Sequence, residues 1–279
     1  MDKVLFLCVV YSTPPEKTST IESLSRINFK DKNVEPTFSV WDNSTDGFET
    51  DKINLLFNNY VVDVMHTGRN ESLSVIYNKI IYKYKEKCDW IVILDDDSVI
   101  DSDYIDCLKE LINKSMIDSS IKIGIPKIYN NNVLISPGKV VGIRGVVLPN
   151  INHGVVNEKK IVAMMSGTVI SIDKSTDFPK FDERLKFYGV DTKFFLDAEN
   201  SNYKKYVFSY VMEHKSALRD TSLPVNEQFK RFDNLFKARK VIYENVPNYK
   251  IRLFIYKFLF SIKMTLLRKN LLFLKLILS

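Results

Sequence analysis

The chain has 279 residues, 45% hydrophobic and 27% charged, an ordinary globular composition that suits one large domain or two small ones. Nine Gly and nine Pro are too few for disorder or long linkers, while Cys8, Cys88 and Cys107 form no CxxC pair and fit small buried groups in a reducing compartment. The net charge is +6, but seven of the 40 Lys and Arg lie in the acid-free stretch after Asn248, so the body is close to neutral and no nucleic-acid partner is expected.

In chain order, "KVLFLCVVY" is short, β-branched and lacks a small-residue cleavage site after it; it reads as a first strand, not a signal peptide. "PEKTSTIESLSRI" predicts a helix with Pro and Glu in its first turn. "TFSVWDNS" predicts a strand ending in Asp42-Asn43-Ser44, "DKINLLFNN" a short helix and "YVVDVMH" another strand. Leu73, Ile76, Tyr77, Ile80 and Ile81 recur at helical spacing in "NESLSVIYNKIIYKYKEK". "DWIVILD" is the next strand, "SDYIDCLKELINK" the next helix and "IKIGIPKIY" another strand.

Residues 130–157 carry Pro137, Gly138, Gly142, Gly145, Pro149 and Gly154 between short β-like runs, which predicts irregular hairpins or a loop. "KIVAMMSGTVISID" returns to strand, "VDTKFFLDAENS" to helix, and "KYVFSYVMEH" is a strand ending at His214. From about Asn226 the pattern is helical to the end. Strands alternating with helices predict an α/β fold, a Rossmann-like and mostly parallel sheet flanked by helices. No window reaches the roughly 18 uncharged apolar residues of a spanning helix.

In such a sheet, ligands sit beyond the carboxyl ends of the strands. Polar clusters fall at five of these ends: Tyr11-Ser12-Thr13, Asp42-Asn43-Ser44, Gly68-Arg69-Asn70, Asp95-Asp96-Asp97 and His214. The three consecutive acids repel one another unless water, a cation or donors hold them. An Asp-x-Asp turn after a buried strand suits Mg²⁺ or Mn²⁺, which takes one or two carboxylates and fills its shell with diphosphate oxygens and water. The competing reading is a solvated turn before a helix capped by Asp101.

These motifs, in order over about residues 3–240, resemble a family 2 glycosyltransferase of GT-A fold, similar to bacterial rhamnosyl- and galactofuranosyltransferase-like enzymes of polysaccharide assembly. The resemblance rests on Asp42-Asn43-Ser44-Thr45-Asp46, on Asn70 to Asn78 as an Asn-x-Gly-x-x-x-Ala-x-Asn helix start, on Asp95 and Asp97, on Ser166-Gly167-Thr168, on Phe181-Asp182-Glu183 through Asp191, and on His214. Ser72 and Ile76 depart from that family's small residues, and Val190 replaces an acid common before Asp191.

The resemblance implies a catalytic domain over 1–222, with a nucleotide-sugar half (1–100) and an acceptor half (101–222), followed by C-terminal helices (223–279). It implies that Asp42 accepts the N3–H of a uracil or thymine ring, with Tyr11, Ser12 and Asn43 lining the same pocket. Arg69 and Asn70 would stand near the ribose or diphosphate. Asp95 would contact the ribose or sugar, with Asp96 beside it; Asp97 and His214 would hold Mn²⁺ or Mg²⁺. Asp191 would be the general base of an inverting transfer, and Gly167 and Tyr188 would meet the acceptor. The implied donor is a UDP- or dTDP-sugar, and the acceptor a lipid-linked glycan of O-antigen or capsule type, met at the inner face of the cytoplasmic membrane.

Three readings compete with parts of this. Asp95 to Val99 also fits the nucleophile turn of haloacid-dehalogenase-like phosphatases, although that turn normally closes the first strand of its domain. A non-catalytic sugar-nucleotide or glycan-binding module could keep the fold, and Asp191 could merely cap a helix. In the tail, Lys250, Lys257, Arg268 and Lys275 fall on one helical face. The expectation is helices lying on an anionic membrane surface through residues 249–279 without spanning it. The competing uses of the tail are a helix pair covering the domain and a homodimer interface.

Overall fold

The structure is a computed structural model that describes residues 1–49, 51–57, 60–172, 179–213 and 223–278. The first half alternates strand and helix as the sequence predicts. The strands are β1 (Asp2–Val10), β2 (Val34–Asp42), β3 (Val62–His66) and β4 (Trp90–Asp95); α1 (Ser19–Ser25), α2 (Asp51–Leu56) and α3 (Leu73–Tyr84) intervene. The predicted helix after β1 is split. A short 3₁₀ turn, Pro15–Lys17, precedes α1, because the Thr18 hydroxyl accepts from the Ile21 N–H and restarts the helix there. Next come α4 (Ser102–Ile117) and β5 (Ile121–Asn130).

The Gly- and Pro-rich stretch forms short strands: β6 (Val133–Ser136), β7 (Gly138–Val141), β8 (Arg144–Val147) and β9 (Gly154–Val156). The strand predicted over "KIVAMMSGTVISID" is broken into β10 (Ile161–Val162) and β11 (Thr168–Ser171), with Gly167 at φ +69° in the turn between them. Then follow α5 (Val190–Asn200), β12 (Lys204–Glu213), α6 (Val225–Ile242), α7 (Tyr249–Arg268) and a 3₁₀ turn, Leu271–Ile277.

The main sheet runs β3-β2-β1-β4-β11-β5-β12-β9, with β6 attached to β5. The pairs β3/β2, β2/β1, β1/β4 and β5/β12 are parallel, while β11 is antiparallel to both its neighbours. A small antiparallel sheet, β10-β7-β8, stands beside it. Chain order reverses around β1: β2 lies on one side and β4 on the other. Register puts Val10 opposite Asp42, Asp42 opposite His66 and Val9 opposite Asp95. The polar strand ends therefore share one edge, at the switch in strand order where open α/β sheets bind ligands.

Side-chain alternation divides the core between the two faces. Phe6, Cys8, Val92 and Leu94 pack with Phe29, Phe38, Tyr104 and Leu108 on one face. Leu5, Leu7, Ile91 and Ile93 pack with α3 and α5 through Ile76, Ile80 and Phe194 on the other. That second cluster also takes in Phe236, Ile242, Leu253, Phe273 and Leu276, so the C-terminal helices complete the body's core.

The tail departs from its expected geometry. The face of α7 that turns inward carries Leu253, Lys257, Ser261 and Met264. Lys257 is 4% exposed, and an Arg268 guanidinium nitrogen donates to the Leu223 carbonyl at 2.8 Å. Two residues of the basic face, Lys257 and Arg268, are thus engaged with the protein itself. Both sides of this helix are apolar, so periodicity alone does not decide which is buried.

Candidate active site

The edge is built from interlocking turns. The Asn43 N–H closes β2 onto β1 by donating to the Val10 carbonyl at 2.9 Å. The Ser12 N–H donates to Ser44 Oγ at 3.1 Å. Asp42 is only 1% exposed, and its carboxylate oxygens accept the Ser44 N–H at 2.9 Å and the Phe48 N–H at 2.8 Å. His66 Nδ1 lies 3.2 Å from the Asp42 carbonyl oxygen. Asp42 therefore shapes the turn from 42 to 48, as an Asx residue does.

Asn43 joins two of the polar clusters. Its side-chain amide donates to Asn70 Oδ1 and to the Glu71 carbonyl, while its oxygen accepts the Glu71 N–H at 2.8 Å. Buried and engaged on both sides, it clasps the end of β2 to the entry of α3. Arg69 and Asn70 are exposed at that entry. Arg69 pairs with Glu71 at 2.7 Å, and Lys79 reaches the same carboxylate at 3.2 Å. The hydrogen bond from Arg69 and the pairing with Lys79 hold the Glu71 carboxyl below its ordinary range. Tyr11 stands 53% exposed at the end of β1, an aromatic face on which a flat base can stack.

The acidic turn is tied down from several sides. Thr20 Oγ1 donates to the Asp95 carbonyl at 2.5 Å and the Ser98 carbonyl at 2.8 Å. The Asp95 N–H donates to Ser98 Oγ at 3.1 Å. Asp101 Oδ1 accepts from the Asp103 and Tyr104 N–H groups, so this residue alone caps α4. The triad is not needed as a cap. Asp97 points to the exposed side of the turn, and Asp95 and Asp96 are half-buried. Burial, then the charges of Asp97 and Asp95, push the Asp96 carboxyl up, against hydrogen bonds from backbone N–H groups including that of Tyr11. A cation would relieve that crowding.

Ser166, the first residue of the "SGT" turn, donates its hydroxyl to Asp95 Oδ2. Gly167 lies at the centre of that turn. It is buried, its N–H donates to the Ile93 carbonyl at 2.7 Å, and its carbonyl accepts from the Tyr104 hydroxyl at 2.7 Å. A Cβ there would lie 2.5 Å from Met212 Sδ, so the glycine serves close packing at a positive φ.

Asp191 comes from the other half of the chain. It sits in the first turn of α5, and the cap position belongs to Gly189 at φ +78°. Its Oδ1 accepts the Thr192 N–H at 2.7 Å. Burial pushes its carboxyl up to about 6, against the hydrogen bonds from Thr192, and the charge of Asp95 adds to the rise. The Tyr77 phenol is held well above its ordinary value by burial and then by the charges of Asp95 and Asp191. The charges of these two acids, far apart in sequence, thus both bear on the Tyr77 phenol, whose ring lies 5.0 Å from that of Phe181.

The segment leading into α5 is stapled to α3. Asn78 Nδ2 donates to the Phe181 carbonyl, and Asn78 Oδ1 accepts the Phe181 N–H, both at 2.9 Å. Ser74 Oγ donates to the Leu185 carbonyl at 2.5 Å, and the Leu73 N–H to the Lys186 carbonyl at 2.8 Å. Phe187 and Tyr188 follow, ring centroids 5.1 Å apart, with Phe187 exposed and Tyr188 half-buried.

Sequence reasoning did not single out Ser166 or Tyr77. Ser166 adjoins the glycine that was chosen, while Tyr77 follows the same helical spacing as its core neighbours. His214 lies outside the described residues. Among the described residues, no three His, Cys, Asp or Glu side chains are grouped to hold a metal ion.

No protein-family model matches the sequence, and neither does any curated protein. The likeness to known proteins is one of shape. GalNAc-T7 with UDP, GalNAc and Mn²⁺ superposes at a TM-score of 0.60 and 13% identity, over 90% of this chain and 49% of that one. Staphylococcus aureus TarS 1-349 in complex with UDP superposes at 0.53 and 12% identity, over 91% of this chain and 69% of that one. This chain spans only 44% of the longer TarS chain. The fold is α/β of the GT-A type, with a mostly parallel central sheet flanked by helices.

Proposed function

We propose that the protein is an inverting, metal-dependent glycosyltransferase. It moves a sugar from a UDP- or dTDP-sugar to a hydroxyl of a lipid-linked glycan at the inner face of a cytoplasmic membrane. The observation that supports this reading is Asp191, pushed up to about 6 by burial and in part by the charge of Asp95, the residue that ends β4 beside the strand-order switch. A carboxyl with that pKa suits general-base work near neutral pH. The UDP bound by TarS and by GalNAc-T7 in the same fold supports the choice of donor.

On this reading Tyr11 stacks on the base, and Asp42 and Asn43 hold the turn that carries it. Arg69 and Asn70 approach the diphosphate. Asp95, oriented by the Ser166 hydroxyl, contacts the donor sugar or ribose. Asp97, with Asp96 beside it, would hold Mn²⁺ or Mg²⁺, and His214 is proposed as a further ligand. The acidic turn fits a cation that brings most of its other ligands from diphosphate and water. When bound, the ion supplies neutralisation of charge on the departing diphosphate. Asp191 takes the proton of the acceptor hydroxyl as that oxygen attacks the anomeric carbon. Tyr188 and the stretch 130–157 stand on the acceptor side.

The test is a panel of UDP- and dTDP-sugars assayed for nucleoside diphosphate release with Mn²⁺ or Mg²⁺. The wild type should release diphosphate with one donor. Asp97→Ala should lose the metal dependence and most activity, and Asp191→Asn should lower kcat by at least about a hundredfold. Phosphatase activity that survives Asp191→Asn would instead favour the aspartyl-nucleophile reading of Asp95.

A further inference from the structure

Helix α7 is apolar on both sides. Its inner face packs on α6: Phe232 and Phe260 ring centroids are 4.8 Å apart, and Phe236 and Phe260 are 5.4 Å apart. Its outer face carries Ile251, Phe254, Ile255, Phe258, Leu259, Ile262 and Leu266, all exposed. At about 100° per residue these form one stripe roughly 140° wide. Arg252 and Lys263, both exposed, run along one border of the stripe. Beyond the helix, Leu271, Leu274 and Leu278 are exposed too, as are Lys269 and Lys275.

Together these side chains present on the order of 1,000 Å² of apolar surface, beyond the few hundred that a soluble monomer usually shows in one patch. No carboxylate occurs anywhere in the stretch. An apolar stripe with a purely cationic border matches the interfacial zone of an anionic bilayer: the stripe suits the acyl boundary and the ammonium and guanidinium groups suit lipid phosphates. None of the described helices is long and apolar enough to cross a membrane, so the geometry is one of lying on the surface.

The same helix is latched to the hairpin β7–β8. The Arg239 guanidinium lies 4.4 Å from the Tyr256 ring centroid and that of Arg144 5.4 Å from it, so one aromatic ring of α7 is shared by α6 and the hairpin. Arg239 also donates to the Ile143 carbonyl at 3.5 Å. We propose that the outer stripe of α7 and the Leu271–Ile277 turn seat on an anionic lipid surface, and that the Arg144–Tyr256–Arg239 stack fixes the β7–β8 hairpin beside that surface. The consequence for acceptor delivery rests on the transferase reading of the site; the lipid binding does not.

The test uses the full chain and co-sedimentation with vesicles of phosphatidylcholine, with and without phosphatidylglycerol. The wild type should bind the anionic vesicles and bind the neutral ones at least tenfold more weakly. Ile255→Glu with Leu259→Glu should lower anionic partitioning at least tenfold with an unchanged melting temperature, because both side chains are already exposed. Arg252→Ala with Lys263→Ala should lower it by roughly fivefold per cation removed, and added salt should do the same. Equal partitioning of wild type and the glutamate pair overturns the proposal. So does an absence of vesicle binding coupled to a wild-type mass that doubles with concentration and reverts in the glutamate pair, which would make the stripe an interface with a second copy. Donor hydrolysis measured without vesicles reports on the site separately, so lipid binding and transfer can fail independently.

Discussion

At the scale of single residues, Asp191 carries a conflict between stability and chemistry. Burial raises its carboxyl from an ordinary 3.8 to about 6. An acid raised in this way favours the folded state while protonated; the benefit is complete below the unfolded value and is lost as pH rises through about 6. At neutral pH the ionised form costs the fold on the order of 1–2 kcal/mol after allowance for its partial exposure. Asp191→Asn should therefore melt higher than wild type at about pH 7.5, with the gap closing below about pH 4. The proposed transfer makes the opposite demand, because on that proposal Asp191 must be ionised to act as the base: wild-type kcat/KM should fall as pH drops through about 6. A wild-type profile flat across that range, or an Asn variant that melts lower at neutral pH, would remove the case for this base. Asp191 was legible in sequence through its place after "FDE" and the Asp-x-Asp. Tyr77 was not, since a phenol between two acids and one in a helix core share the same spacing.

At the scale of elements, the turn motifs act as joints. Asn43 clasps β2 to α3, and Asn78 clasps α3 to the segment entering α5 through two bonds to Phe181. Asn78→Ala should leave both Phe181 backbone groups without their partner in a site where Phe181 is buried. That should cost about 2–3 kcal/mol in urea unfolding. It should also lower kcat more than it changes the donor KM, because the loosened segment delivers Asp191 and not the nucleotide turn. Equal loss in both parameters would point to general unfolding. Strand existence and strand ends were readable, since β1 and β4 are short, near-continuous apolar runs and, like β2, finish in polar clusters. The direction of Asn43 and Asp42 was not, because hydrogen bonds to Glu71 or Phe48 leave no periodic trace. The break between β10 and β11 was hidden for a similar reason: one apolar run covers both strands and the turn between them, and the left-handed Gly167 is their only punctuation.

At the scale of the whole molecule, the C-terminal helices share a core with the body. Leu253, Phe273 and Leu276 share one core cluster with Leu5, Ile93 and Phe194 of the body. Phe273 is fully buried, with its ring centroid 6.3 Å from that of Phe232 and 6.4 Å from that of Phe229. Removing everything after Pro247 would uncover this side of the sheet layer, so such a truncation tests the fold before it tests membrane binding. The sequence could not tell an outward apolar tail from an inward one because α7 is both. Phe273→Ala should cost about 3–5 kcal/mol through the cavity it leaves. If the C-terminal helices complete the core, calorimetry should record one cooperative transition shifted down as a unit, and UDP-sugar binding should disappear with it. Two separated transitions, with the tail melting first and donor binding surviving to the second, would make the tail an independent layer. The truncated chain would then be a usable enzyme, and the vesicle assay could be run on it directly.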